Sequence, residues 1–314
     1  STNWWAYGNQ RNFDISFRPR FVSNVQVNPL KQANSTGNVP SNISSAINFS
    51  INPAKFDVAT RTYVSANLRA VRVTGPGLPT AGVVFAPSSA SGATSFLAVH
   101  NKTGVVDTST MSVNSTSNNF TLGAVASDGS SLYSGFWNAA NVGNLDAPLT
   151  DYSALQAYSA YQFEYFLNSN PGNTTPDAIE TARILAPVMS PSAVRSIPLN
   201  DFSPSQSLVT APAAGGCSFT LNWSNNANAS PVSNVFIYGQ TNTAAGLSRY
   251  LITSNVNASL VGTRPSSSSL TAANCATGAI PALSATAGSS DFRQIGLGMT
   301  QARYQYYTYM QWNN

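Results

Sequence analysis

The chain has 314 residues with a formal net charge of +4, and only 8% of its residues are charged: three lysines, two glutamates and a single histidine. The apolar fraction of 42% and the aromatic fraction of 11% are those of a folded protein, which excludes intrinsic disorder. The twelve arginines are scattered from Arg11 to Arg303 without a basic stripe, which argues against nucleic acid as a partner, and no apolar run approaches the roughly 18–20 residues of a membrane-spanning helix.

The first residues are Ser1-Thr2-Asn3-Trp4-Trp5, with no initiator methionine or signal-like segment, so a leader is expected to have been removed or to lie outside the sequence. Residues 1–147 read as a β-rich domain. Phe13, Ile15 and Phe17 alternate, Val25 and Val27 follow, and Ile47, Phe49 and Ile51 alternate again, the period of strands with one buried face. The stretch from Tyr63 to Val73 predicts one long strand ended by Gly75-Pro76-Gly77-Leu78-Pro79, where proline removes a ladder donor and glycine permits positive φ. Val83–Phe85, Phe96–Val99, Phe120–Leu122 and Leu132-Tyr133 supply further short strands.

Residues 148–198 predict a helical hairpin. Thr150 or Asp151 is placed to cap a helix running to Leu167. Thr175 with Pro176 at the first helical position, followed by Asp177 and Glu180, is placed to cap a second. Tyr158, Tyr161 and Tyr165 on the first helix are candidate contacts between copies of the chain, since tyrosine suits surfaces where the ring is covered and the hydroxyl stays wet.

Residues 199–314 read as a second β domain. Cys217, Phe219, Leu221 and Trp223 alternate, Val235–Tyr238 and Tyr250–Ile252 follow, and the end is strongly β in character from Phe292 to Trp312. Gly296-Leu297-Gly298 reads as a turn. Cys217 and Cys275 lie 58 residues apart, far from any metal-binding spacing, and are assigned to one disulfide. A disulfide, a Trp-bearing strand and a tyrosine-rich last strand resemble immunoglobulin-like and fibronectin-like sandwiches, although the spacing fits no particular family. The fold expected is therefore mainly β: two antiparallel, immunoglobulin-like β-sandwich domains joined by a helical hairpin.

Catalytic material is scarce. His100 is the only imidazole and follows the run Phe96–Val99, which suits a strand end better than a triad; no Gly-x-Ser-x-Gly elbow is present. Glu164 and Glu180 are the only glutamates, and Glu164 is expected to face solvent or pair with an arginine. Neither a phosphate loop, a dinucleotide fingerprint nor a calcium-ligand series occurs, so no enzyme activity, metal or cofactor is expected. Ten Asn-x-Ser/Thr sequons begin at Asn34, Asn42, Asn48, Asn101, Asn114, Asn119, Asn173, Asn222, Asn228 and Asn257, a weak signal in a chain with 33 asparagines.

What remains is the surface. Serine, threonine and asparagine lose less rotamer entropy on burial than lysine or glutamate, and sheet edges without lysines lack the usual guard against pairing with other chains. The expectation is an extracellular or cell-surface structural protein that self-associates into a fibre, sheath or layer, with terminal strand addition as one route. Trp4, Trp5 and Tyr7 at one end, and Tyr306, Tyr309 and Trp312 at the other, are the candidate terminal contacts. The alternative is a glycan-binding, adhesive module using Trp5, Trp137, Trp223 or clustered tyrosines as stacking platforms.

Overall fold

The computed structural model describes residues 12–26, 42–89, 96–109, 111–114, 117–126, 151–202, 218–243, 246–256, 265–271, 292–300 and 304–313. These residues are mainly β. They group into two compact units, the first from 12–19, 46–122 and 151–189, the second from 20–26, 42–45, 123–126 and 190–313. Strands β1 (Phe13–Gln26), β2 (Asn42–Asp57) and β7 (Asn119–Ala126) contribute residues to both.

In the first unit β1, β2 and β3 (Thr62–Ser65) lie side by side, and β7 pairs with β2. A separate five-stranded sheet is ordered β6 (Ala98–Asn101), β5 (Val83–Ala86), β4 (Leu68–Thr74), β8 (Ala160–Leu167) and β9 (Ala178–Arg183), with every neighbouring pair antiparallel. Alternation dictates which faces meet. Phe13, Ile15, Phe17, Ile47, Phe49 and Ile51 are all buried. The Phe17 ring stacks on Phe49 with centroids 5.8 Å apart and meets Tyr161 and Phe163 edge-on at 5.1 and 5.3 Å, while Phe13 stacks on Tyr165 at 3.7 Å. These aromatic contacts join the two sheets through one core, a sandwich-like packing. The opposite face of β4, β5 and β8 is covered as well, by a smaller cluster of Ala70, Val84, Ala86, Met111 and Phe166.

The helical hairpin expected between 148 and 198 is a β-hairpin. Tyr161, Phe163 and Tyr165 are buried and alternate with the partly exposed Gln162 and Glu164, a period of two. The side chains read as helix caps make turns instead, because an Asp or Asn oxygen that accepts a backbone N–H two residues on serves either structure. Asp151 Oδ1 accepts the Ser153 N–H at 2.8 Å, and Asn173 Oδ1 accepts the Thr175 N–H at 2.9 Å. The strand expected over Tyr63–Val73 is likewise broken into β3 and β4. Asn67 between them has a φ of +49°, and its N–H donates to Ser65 Oγ at 3.3 Å.

Asp177 closes the β8–β9 turn. Its Oδ2 accepts the Leu167 N–H at 2.8 Å and its Oδ1 accepts the Asn170 amide at 3.0 Å. Partial burial pushes this carboxyl up, and the bonds from Leu167, Asn170 and Asn173 outweigh it, so the net shift is downward. A lowered folded value means that its contribution is present above the ordinary carboxylate range and is lost as pH falls through the folded value. The stability difference between the protein and Asp177→Ala should therefore be largest near neutrality and shrink in acid. Denaturant midpoints across that pH range check it, and a difference independent of pH rejects it.

The second unit holds a sheet ordered β13 (Gly246–Asn255), β12 (Asn234–Thr243), β15 (Phe292–Thr300), β16 (Gln305–Asn313) and β1. β12 and β13, like β15 and β16, are antiparallel, whereas β16 runs parallel to β1 from Arg20↔Gln305 to Gln26↔Gln311. A three-stranded sheet, β10 (Asp201–Phe202), β11 (Ser218–Ser224) and β14 (Ser267–Thr271), carries Leu221 and Trp223, both buried. Gly296 and Gly298 lie inside β15 and make no turn. A Cβ on Gly296 would stand 1.9 Å from the Phe236 ring, and one on Gly298 would stand 2.0 Å from Asn234 Oδ1. Each glycine faces that residue across the β12–β15 register, so it leaves room for a cross-strand side chain. The one helix among the described residues is the single turn α1 (Pro191–Val194), where Ser190 Oγ accepts the Ala193 N–H at 3.2 Å and Pro191 opens the turn.

Candidate interaction surface

Three sheets of finite width leave strands with a single neighbour: β3, β6, β7, β9, β10, β13 and β14. None contains a lysine. β3 shows most clearly what such an edge offers. Its Tyr63 sits opposite Phe56 of β2, the rings meet edge-to-face at 5.5 Å, and the two remain 44% and 41% exposed. Val58, at the tip of the same hairpin, is 79% exposed. The tip is held by Asp57, whose Oδ1 accepts the Ala59 N–H at 2.9 Å; that bond, then one from Thr60, keeps the carboxyl below its ordinary value. A fixed hairpin thus presents an aromatic pair to solvent beside an open strand edge. At the edge strand β9, Ile179, Thr181 and Arg183 point outward, and Ile179 and the following Leu185 are exposed apolar side chains.

The residues nominated from sequence as contacts fall into four groups. Tyr158 is exposed, with a φ of +67° and its N–H donating to the Ile184 carbonyl at 2.6 Å. Tyr161 and Tyr165 are fully buried, so their rings serve the chain's own core. The Tyr161 hydroxyl donates to the Pro76 carbonyl at 2.8 Å, and burial holds its phenol far above the ordinary value. Tyr306 is half-buried in β16, which also carries Tyr309 and Trp312. Trp4, Trp5, Tyr7, Cys217 and Cys275 lie outside the described residues, as does Trp137. Phe56, Val58, Tyr63 and Ile179 were not nominated from sequence. The signal available was the short segment Asp57–Thr62 between two aromatics, a hairpin turn opened by Asp57 that sets Phe56 opposite Tyr63.

The acid–base groups are engaged in structure. His100 is exposed in β6 at a register shift, where Val84 faces Asn101 and Phe85 faces Val99, so His100 is the extra residue of a bulge. Glu164 pairs with Arg72, whose Nε donates to Oε2 at 2.6 Å, and Arg72 also donates to the Gly104 carbonyl. Glu180 accepts the Asn12 N–H at 2.8 Å and the Tyr165 hydroxyl at 3.1 Å. The described residues bring no three metal-ligating side chains together. Trp223 is buried with its Nε1 donating to Asn225 Oδ1 at 3.1 Å, which removes it as a sugar platform. Among the sequons, Asn48 is buried and its amide donates to Asn118 and Asn119, whereas Asn114, Asn222 and Asn228 are exposed.

No helix among the described residues is long and apolar enough to cross a membrane. Comparison with protein-family models, with curated proteins and with solved structures finds no match to this chain.

Proposed function

We propose that the chain is a secreted or cell-surface structural protein that self-associates into a fibre, sheath or layer. The supporting observation is the β2–β3 hairpin: an open edge strand without a charged residue, bearing the solvent-exposed Phe56–Tyr63 pair and Val58. Edge strands of soluble proteins are usually blunted by charge, and exposed aromatics beside an unguarded edge suit contact with another chain. The sparse surface charge works in the same direction, because little ionic repulsion holds copies apart.

Light scattering coupled to size-exclusion chromatography, with electron microscopy of the same sample, tests the reading. Concentration-dependent assembly is expected. The double substitution Phe56→Ser with Tyr63→Ser should weaken association about 30-fold, equivalent to the roughly 2 kcal/mol of one interfacial hot spot. Deleting residues 1–8 separates the hairpin from the terminal route: polymers lost in that variant alone assign the contact to the leading segment. A monodisperse monomer at the highest soluble concentration overturns self-association altogether.

A further inference from the structure

The second unit contains a pocket of about 110 Å³ whose lining, among the described residues, holds no ionisable acid, lysine, arginine or histidine. Its apolar wall is Ile197, Pro198, Leu199 and the buried Met299; its polar side is Asn228, Ser230, Tyr304 and Tyr306. The two tyrosine rings lie 5.6 Å apart, tilted by 36°, and the buried Phe21 ring backs them at 6.1 and 5.2 Å, so they are fixed from behind. The turn carrying Asn228 is also fixed. Asn200, fully buried beneath it, accepts the Asn226 N–H at 3.0 Å, and its amide donates to the Ser230 carbonyl at 2.7 Å and toward Met299 Sδ at 3.3 Å.

Among the described residues the Asn228 amide and the Tyr304 and Tyr306 hydroxyls make no hydrogen bond, although each stands on backbone that is held in place. Burial, and to a smaller degree Tyr304, pushes the Tyr306 phenol up to about 12, so it remains a neutral donor at any physiological pH. These described groups suit a ligand that offers hydroxyls to an amide and two phenols and lays carbon on Met299 and Leu199. The volume sets its size. It is well below the roughly 300–1,000 Å³ of pockets for drug-sized ligands, yet it exceeds the roughly 10–15 Å³ needed by one water several-fold.

We infer that this pocket binds one neutral pyranose residue, its C–H face against the Met299 and Leu199 wall and its hydroxyls on Asn228, Tyr304 and Tyr306. A pyranose combines an apolar face with a rim of hydroxyls in one rigid ring, so little conformational entropy is lost when it docks. The assignment is independent of self-association, since every group comes from one unit of one chain.

Saturation-transfer NMR on the full chain with the methyl pyranosides of glucose, galactose, mannose and N-acetylglucosamine tests it. At least one should bind with a millimolar dissociation constant and receive saturation mainly through the C–H protons of one ring face. Asn228→Ala and Tyr306→Phe should each weaken binding about 3- to 10-fold, the loss of one neutral hydrogen bond. Titration of the unaltered protein should shift the Asn228 side-chain amide resonances, which locates the ligand without any substitution. Oligosaccharides ending in the same sugar distinguish a glycan terminus from a free monosaccharide by tighter binding. The inference fails if no methyl pyranoside binds, if the Asn228 amide does not shift, or if cyclohexylmethanol binds as well as the sugars do.

Discussion

Replacing Phe49 with alanine is expected to cost about 3–5 kcal/mol of stability, the range for deleting a buried aromatic ring and leaving a cavity behind. Phe49 is fully buried on β2 and is the ring around which the first unit packs. It stacks on Phe17, approaches Phe85 at 5.1 Å, and meets Tyr161 and Phe163 at 6.4 and 6.3 Å. Its backbone N–H also donates to the Asn118 carbonyl at 2.8 Å, so the strand is held on both sides and has little freedom to collapse into the vacated space. Phe49→Leu keeps most of the volume and should cost less than about 1.5 kcal/mol. Because the structure divides into two compact units, amide exchange on β2, β4 and β8 is a better readout than a single global transition. A loss below about 1 kcal/mol in Phe49→Ala would show that the aromatic cluster is not the centre of this core.

Much of the β architecture is legible in the sequence, because a half-buried strand writes its burial into every second residue. Phe13-Ile15-Phe17, Ile47-Phe49-Ile51 and Leu221-Trp223 alternate in sequence and are buried in the structure. Tyr161-Phe163-Tyr165 carries the same period, but Phe166, on the opposite face, belongs to a second cluster. That neighbour blurs the alternation and makes the segment read as a helix apolar on several sides. The residues around Asp151 and Thr175 strengthened the misreading, since a side-chain oxygen that accepts a nearby N–H is common to a helix cap and a tight turn. What decides between them is the partner strand β4, which lies some ninety residues earlier in the chain and leaves no local trace.

The functional surface is less legible for a related reason. Scarcity of charge is a property of composition, and it foretold edge strands without lysine. Which aromatics stay outside depends on which strand ends a sheet. Phe56 and Tyr63 resemble core residues until β3 proves to have a neighbour on one side only. Gly296 and Gly298 pose the same problem: their purpose lies in Phe236 and Asn234 on β12, and nothing in the Gly-Leu-Gly string itself shows that it belongs inside a strand.

Arg69→Met is expected to be the second most damaging substitution, at about 2–4 kcal/mol, because it removes the donors on which two loops converge. Arg69 is 1% exposed in β4, and among the described residues its guanidinium makes no ion pair, although its charge helps lower the carboxyls of Asp107 and Asp177. Nη1 donates to the Thr108 carbonyl at 3.2 Å and to the Pro171 carbonyl, while Nη2 donates to the Asn173 carbonyl at 2.6 Å. The Phe166 ring centroid lies 5.9 Å from its central carbon. One planar fork thus ties the 102–109 loop to the β8–β9 turn, and its buried charge faces carbonyl dipoles and a ring, with the Asp107 and Asp177 carboxylates acting from further off. Methionine fills similar volume but cannot donate, so Thr108, Pro171 and Asn173 must turn to water. Since Thr108 and Pro171 are exposed, that rehydration should release the two loops rather than unfold the unit. Faster amide exchange confined to 102–109 and 168–177 is the expected signature. Arg69→Lys retains the charge but not the fork and should recover less than half of the loss. Full rescue by lysine would assign the effect to charge alone, and unchanged exchange in the methionine variant would remove Arg69 as the tie between the loops.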